Sequence, residues 1–147
     1  MKLVIQIPCL NEEETLGDVL DSIPSSVEGF DTVEVVVIDD GSTDRTIEVA
    51  RRHGVSTIIR HRSTRGLAEA FRSGVDYALT HGADALVNTD GDNQYPQADI
   101  PKLVRPIVDG EADIVVGDRQ THKIQHFSRG KKLLQKIGSK VVNQAAG

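Results

Sequence analysis

At 147 residues, with 38% hydrophobic and 27% charged residues, the chain is long enough for one domain with its own core and has a globular composition. A net charge of −5 argues against nucleic acid as a partner. The single cysteine, Cys9, excludes an internal disulfide and favours a cytoplasmic setting, and no run approaches the roughly 18 apolar residues that cross a bilayer.

The first residues turn polar too soon for a signal peptide. Residues 3–7 form a compact apolar run that reads as a buried strand, ended by Pro8. Asn11 then suits a helix N-cap with Glu14 at the capping-box position, followed by Leu16, Val19, Leu20 and Ile23 at helical spacing. Residues 33–38 read as a second strand ending in Asp39-Asp40-Gly41-Ser42-Thr43-Asp44, with Ser42 or Thr43 capping a helix that runs to His53. Residues 55–59 make a third strand. Leu67, Ala70, Phe71, Gly74, Val75 and Ala78 mark a helix face that stops near Gly82. A fourth strand begins at residues 85–87. Ile100, Leu103, Val104, Ile107 and Val108 predict a helix with Pro101 in its first turn and Pro106 kinking or shortening it. Residues 113–117 predict a fifth strand, and Leu133, Leu134, Ile137, Val141 and Val142 a last helix after a polar loop.

Apolar strands alternating with helices predict an α/β fold, a mostly parallel sheet covered on both faces. Ligands of such sheets lie beyond the C-terminal strand ends. The polar clusters fall there: Pro8-Cys9-Leu10-Asn11-Glu12, Asp39-Asp40-Gly41-Ser42, Asp90-Gly91-Asp92 and Gly117-Asp118-Arg119. Asp90 and Asp92, one residue apart around Gly91, can face one point, where two carboxylates repel unless a cation or proton lies between them. All-oxygen ligands suit Mg²⁺ or Mn²⁺, completed by a substrate's phosphates. Taken alone, the same triplet reads as a solvated turn; its place beside the other clusters points to a site. Glu12 and Asp40 suit the N–H and hydroxyl groups of a nucleoside, and Arg119, with Arg129 or Lys131, suits phosphate. There is no P-loop and no Gly-x-Gly-x-x-Gly.

Pro8-Cys9-Leu10-Asn11-Glu12-Glu13, Val37-Ile38-Asp39-Asp40-Gly41-Ser42-Thr43-Asp44, Arg65-Gly66-Leu67-Ala68, Asp90-Gly91-Asp92-Asn93-Gln94-Tyr95-Pro96 and Gly117-Asp118-Arg119 together resemble family 2 glycosyltransferases of GT-A fold, a three-layer α/β/α sandwich. The nearest branch is the dolichyl- or polyprenyl-phosphate mannosyl- and glucosyltransferases. The resemblance implies inverting transfer of a hexose from a nucleotide-diphosphate sugar, of GDP-mannose or UDP-glucose type, to a polyprenyl phosphate, with a divalent metal. It implies that Pro8, Leu10, Glu12, Ile38 and Asp40 line the nucleoside pocket and that Asp90 and Gly91 touch the donor. It further implies that Asp90, Asp92 and Gln94 hold the metal, and that the catalytic set is Asp92, Arg119 and Arg129, with Arg119 at the donor phosphates or acceptor and Arg129 at the acceptor phosphate. A lipid acceptor implies peripheral association with the inner face of a membrane.

Beside these roles, Asp39 and Asp44 read as turn and helix-start charges, Arg65 as either a nucleotide contact or a loop cation, and Cys9 as a small core residue. His122 and His126 read as surface histidines, and Lys131, Lys132 and Lys136 as a solvated helix face. The family usually carries Ala or another small residue where Gly91 stands. The resembling enzymes continue past the last helix with an Asp-x-x-Ser-Gly-Phe-Arg-like segment on the acceptor side. Residues 1–147 are therefore expected to be a nucleotide-sugar-binding domain truncated before that segment, completed by further chain, by a partner chain or by a homo-oligomer. Two other readings are a non-catalytic nucleotide-sugar-binding module and a nucleotidyltransferase; the latter lacks the basic Gly-rich loop expected for a triphosphate.

Overall fold

β-Branched apolar runs too short for helices need a sheet covered on both faces, and the computed structural model, which describes residues 1–118, has that form. The element order is β1 (Lys2–Cys9), α1 (Leu16–Ser22), β2 (Thr32–Asp39), α2 (Thr46–Arg52), β3 (Thr57–Arg60), α3 (Leu67–Thr80), β4 (Ala85–Asn88), a short 3-10 turn (Gln97–Asp99) and α4 (Ile100–Val108). The four strands are parallel in the order β3-β2-β1-β4. The chain walks outward from β1 to β3, then returns to the other side of β1. The switch of direction lies between β1 and β4, where open α/β sheets bind ligands.

The two-residue period of a strand sorts the side chains into layers. Ile7 and Cys9 of β1 and Val37 of β2 pack with Leu16 and Val19 of α1 and Val49 and Ala50 of α2. Leu3 and Ile5 pack with Ile100 and Val104 of α4 on the same face. Val4, Val36 and Ile38 pack on the opposite face against Ala70 and Ala78 of α3. These are the three layers expected of the fold.

One polar residue interrupts β1. Gln6 is fully buried on the α3 face; its Nε2 donates to Asn88 Oδ1 at 2.8 Å, while its Oε1 has no conventional partner. Gly74 of α3 makes room for it: a Cβ there would stand 1.7 Å from Oε1. The α-hydrogen in that position faces the oxygen instead, a weak C–H···O contact.

Several boundaries depart from the sequence expectation. Pro8 does not end β1, which continues through Cys9. Gln6 O accepts from Thr89 N on the β4 side, so Pro8, two residues on, faces the same side beyond the last β4 pair, Gln6↔Asn88, where no ladder bond is lost. Asn11 is not the N-cap of α1; its φ of 57° is left-handed and the helix begins at Leu16. Neither Ser42 nor Thr43 caps α2, which begins at Thr46. Pro106 lies inside α4, which ends two residues later at Val108. The predicted fifth strand is absent: residues 113–118 form neither helix nor strand, and Ile114 is 83% exposed. An apolar run becomes a strand only with a ladder partner, and this one has none among the described residues. The predicted last helix lies outside the described residues.

Gly74→Ala should destabilise the chain by about 3 kcal/mol in urea unfolding, because the clash is with a side chain that has no free space. Adding Gln6→Ala should recover part of that loss, so that the double variant is more stable than the two single effects predict.

Candidate functional site

A cavity of about 240 Å³ opens at the ends of β1, β2 and β4. Its wall combines apolar groups (Pro8, Leu10, Leu67, Ala70), four carboxylates (Glu12, Asp40, Asp90, Asp92) and Cys9, Thr64, Gly66 and Gly91. A larger opening of about 400 Å³ lies beside the start of β2, between α1 and the segment before β3. Its one carboxylate, Glu34, is paired with Lys2 at 2.8 Å, and it lies at the end of the sheet opposite the switch point. Chemistry therefore favours the smaller cavity.

The loops after β1 and β2 lock into each other. Three consecutive backbone N–H groups of the first donate to side chains of the second: Asn11 to Ser42 Oγ at 2.9 Å, Glu12 to Thr46 Oγ1 at 2.9 Å and Glu13 to Asp44 Oδ2 at 3.1 Å. In return Thr43 N donates to Asn11 Oδ1 at 2.9 Å and Arg45 N to Glu13 Oε2 at 3.0 Å. Asp44 also accepts from Thr46 N at 3.0 Å. Burial raises the Asp44 pKa, but the bonds from Thr46 and Glu13 outweigh it and hold the carboxyl below its ordinary range. Asp44 is thus a loop-building charge.

The adjacent carboxylates of β2 differ. Asp39 is fully buried; its Oδ1 accepts from Ser42 N at 3.1 Å, and Arg60 Nε lies 3.3 Å from Oδ2 without the alignment of a hydrogen bond. Asp40 is 4% exposed and lies on the cavity wall. Its Oδ1 accepts from His61 Nδ1 at 2.6 Å and Arg65 N at 2.9 Å, and its Oδ2 from Gly66 N at 2.8 Å. Burial pushes its pKa up, and these three donors more than reverse that, leaving it below the ordinary carboxylate value. A carboxylate has roughly four acceptor sites, so three are filled and about one is left.

After β4, Thr89 N ties the chain to Gln6 O and Thr15 Oγ1 donates to Gly91 O at 2.8 Å, which fixes the turn against the start of α1. A Cβ on Gly91 would stand 3.0 Å from Cys9 Sγ, so the small residue here fits the sulfur beside it. Cys9 is 3% exposed, and burial, followed by the carboxylates of Glu12, Asp39, Asp44 and Asp90, pushes its thiol far above the ordinary value. It is an inert wall residue. Asp92 Oδ1 accepts from Gln94 N at 3.1 Å. Among the described residues no group of three His, Cys, Asp or Glu side chains forms a metal cage. Asp90 and Asp92 both lie on the cavity wall, and carboxylate oxygens are the ligand type that suits a hard ion such as Mg²⁺ or Mn²⁺.

Of the residues singled out in the sequence, Pro8, Leu10, Glu12, Asp40, Asp90, Gly91 and Asp92 are together on one wall. Ile38 is not; it lies two residues deeper in β2 than Asp40 and is fully buried against Ala70 and Ala78 of α3. Gln94 is exposed and meets Asp92 through its backbone. Arg119 and Arg129 lie outside the described residues, as do His122, His126 and the three lysines. Sequence reasoning missed Thr64 and Ala70 on the wall and His61 behind it. His61 carries no signal in the sequence beyond its place just after β3.

The chain matches the model of glycosyl transferase family 2 over residues 4–144. It is 34% identical to a dolichol-phosphate mannosyltransferase of Pyrococcus furiosus, over 92% of this chain and 39% of that protein. It is 31% identical to an undecaprenyl-phosphate mannosyltransferase of Micrococcus luteus, over 95% and 58% respectively. The chain thus spans about half the length of the curated relatives it matches. A crystal structure of glucosyl-3-phosphoglycerate synthase from Mycobacterium tuberculosis with Mn²⁺, uridine diphosphate and glucosyl-3-phosphoglycerate superposes with a TM-score of 0.58 at 30% identity, over 73% of this chain and 39% of that one.

A carboxylate held below its ordinary pKa stabilises the fold above the unfolded value, and the contribution disappears as pH falls through the folded value. Asp40→Asn should therefore cost about 3 kcal/mol at pH 7. In urea unfolding the gap from wild type should hold down to about pH 4 and narrow below the ordinary value of 3.8.

Proposed function

Because the chain belongs to glycosyl transferase family 2, we propose that it provides the donor site of an inverting transfer of a hexose from a nucleotide-diphosphate sugar to a polyprenyl phosphate. The carrying observation is the switch-point cavity, where an apolar wall and four carboxylates meet at the ends of β1, β2 and β4. Relatives named as dolichol-phosphate and undecaprenyl-phosphate mannosyltransferases support the acceptor class, and the uridine-diphosphate-bound neighbour supports the donor class.

Pro8 and Leu10 shield the nucleoside from water, and Glu12 and the open acceptor site of Asp40 take its N–H or hydroxyl groups. Asp90 and Asp92 would hold Mg²⁺ or Mn²⁺, and a neighbour crystallised with Mn²⁺ supports a divalent ion. The ion's positive charge would stabilise the departing diphosphate. An acceptor phosphate oxygen forms its bond to the anomeric carbon from the face opposite the diphosphate as the bond to the diphosphate oxygen breaks. The acceptor is already anionic, so no strong base is required. Arg119 is assigned to the donor phosphates or the acceptor, and Arg129 to the acceptor phosphate. No described helix is long and apolar enough to cross a membrane, and peripheral binding at the inner face through the lipid acceptor fits this reading.

Calorimetric titration with GDP-mannose and with UDP-glucose, with and without Mn²⁺, tests the donor site. One donor should bind in a Mn²⁺-dependent way, and Asp92→Ala should weaken it by at least about tenfold. Folded wild type that binds neither donor refutes the site.

A further inference from the structure

Asp40 is held almost entirely by the single segment that follows β3. Besides the ring of His61, the backbone N–H groups of Arg65 and Gly66 converge on its carboxylate. The same segment supplies Thr64 and Gly66 to the cavity wall, and α3 begins directly after it with Leu67, another wall residue. The loop and the carboxylate therefore define each other. His61 is the buried part of this arrangement, 6% exposed, and it is not itself a wall residue. The far edge of its ring, Nε2, meets Ser73 Oγ of α3 at 2.9 Å.

The sequence Ser73, His61, Asp40 has the order of a hydrolytic triad, but the geometry does not support that chemistry. Ser73 Oγ donates to Glu69 O of its own helix at 2.9 Å and does not lie on the cavity wall. The ring instead spans two elements: Nε2 rests on α3, and Nδ1 fixes Asp40 at the end of β2.

We propose that His61 is a positioning residue for donor recognition: it sets the Asp40 carboxylate so that about one acceptor site remains for the nucleoside, and so that Thr64 and Gly66 stand as cavity wall. This rests on the reading of the cavity as a nucleotide-sugar site. Without the Nδ1–H donor, Asp40 keeps only two backbone donors and its carboxylate can turn. The loss falls on the nucleoside end of the ligand, whereas removing Asp92 acts at the diphosphate end.

Two substitutions separate this role from simple space filling. An Asn side chain can place an N–H near the Nδ1 position, and a Gln side chain can place one near Nε2. On the full chain, binding of GDP-mannose and UDP-glucose with Mn²⁺, and of GMP and UMP without metal, is measured by calorimetry for wild type, His61→Asn and His61→Gln, each shown to be folded by its thermal transition. His61→Gln should lose on the order of 10- to 100-fold for the preferred nucleotide sugar and its monophosphate alike. His61→Asn should stay within about threefold of wild type. Equal behaviour of the two variants, or a loss confined to the diphosphate ligand, overturns the proposal. If His61→Gln does not fold, folded His61→Asn decides alone: retained affinity supports the role and a tenfold loss refutes it. Wild type that binds no nucleotide refutes the nucleotide-sugar reading and this role with it; wild-type binding with His61→Gln unchanged refutes this role only.

Discussion

The eight-residue parallel ladder between β1 and β2, from Lys2↔Thr32 to Cys9↔Asp39, is the constraint on which the rest of the structure depends. It brings two dissimilar loops to the same level at the same edge. The ladder to β4 is half as long and stops at Gln6↔Asn88. The chain after β4 therefore turns over the sheet while β1 still runs on beneath it, which puts Gly91 against Cys9 and Glu12. The cavity follows from that difference in strand length. The crossover from β3 to β4 places it at the switch point, and α3, lying on the far face, contributes its first residues as the remaining wall.

An acid-rich rim is costly unless its charges are answered, and the chain answers them unequally. Asp44 is used up by N–H groups of both loops, and Asp39 by Ser42 and the nearby Arg60. Asp40 is answered by three donors and keeps a share of its surface for the cavity. Asn11 and Glu13 spend their side chains on the opposite loop, whereas Glu12 uses its backbone there and leaves its carboxylate on the wall, 3.0 Å from a Thr15 hydroxyl whose one proton it shares with Gly91 O. Runs of polar residues that look alike in the sequence thus divide into scaffold and wall by hydrogen-bond accounting.

The alternation of apolar strands and helices made the layers legible, because burial on both faces leaves continuous apolar runs. The strand-end rule then found most of the cavity wall. What escaped has physical causes. Pro8 reads as a strand stop because the missing N–H counts against it, but on the side where β4 has ended the loss is nil. Residues 113–117 read as a strand because apolar runs carry no information about a partner. Asn11 and Ser42 read as helix caps because their side chains suit that role, yet each serves the neighbouring loop. Ile38 is a matter of depth: it shares a face with Asp40 but lies two residues further into the sheet, under α3. His61 escaped because its partner, Asp40, is 21 residues away, and only the fold brings them together.

The same accounting gives the cavity two ends. At the β2 end, Asp40 is surrounded by protein donors, so its negative charge is largely compensated and it can act as a neutral-looking acceptor toward a nucleoside. At the β4 end, Asp92 accepts one backbone N–H, from Gln94, and stands beside Asp90 on the same wall. Two like charges on one wall repel each other. A bare diphosphate brought to that end would meet the same repulsion twice over. A divalent cation reverses the sign there and leaves the other end untouched. With Asp40 at the β2 end of the wall and Asp90 and Asp92 at its β4 end, the proposed donor would lie with its base toward β2 and the loop of His61 and its diphosphate toward Asp90 and Asp92.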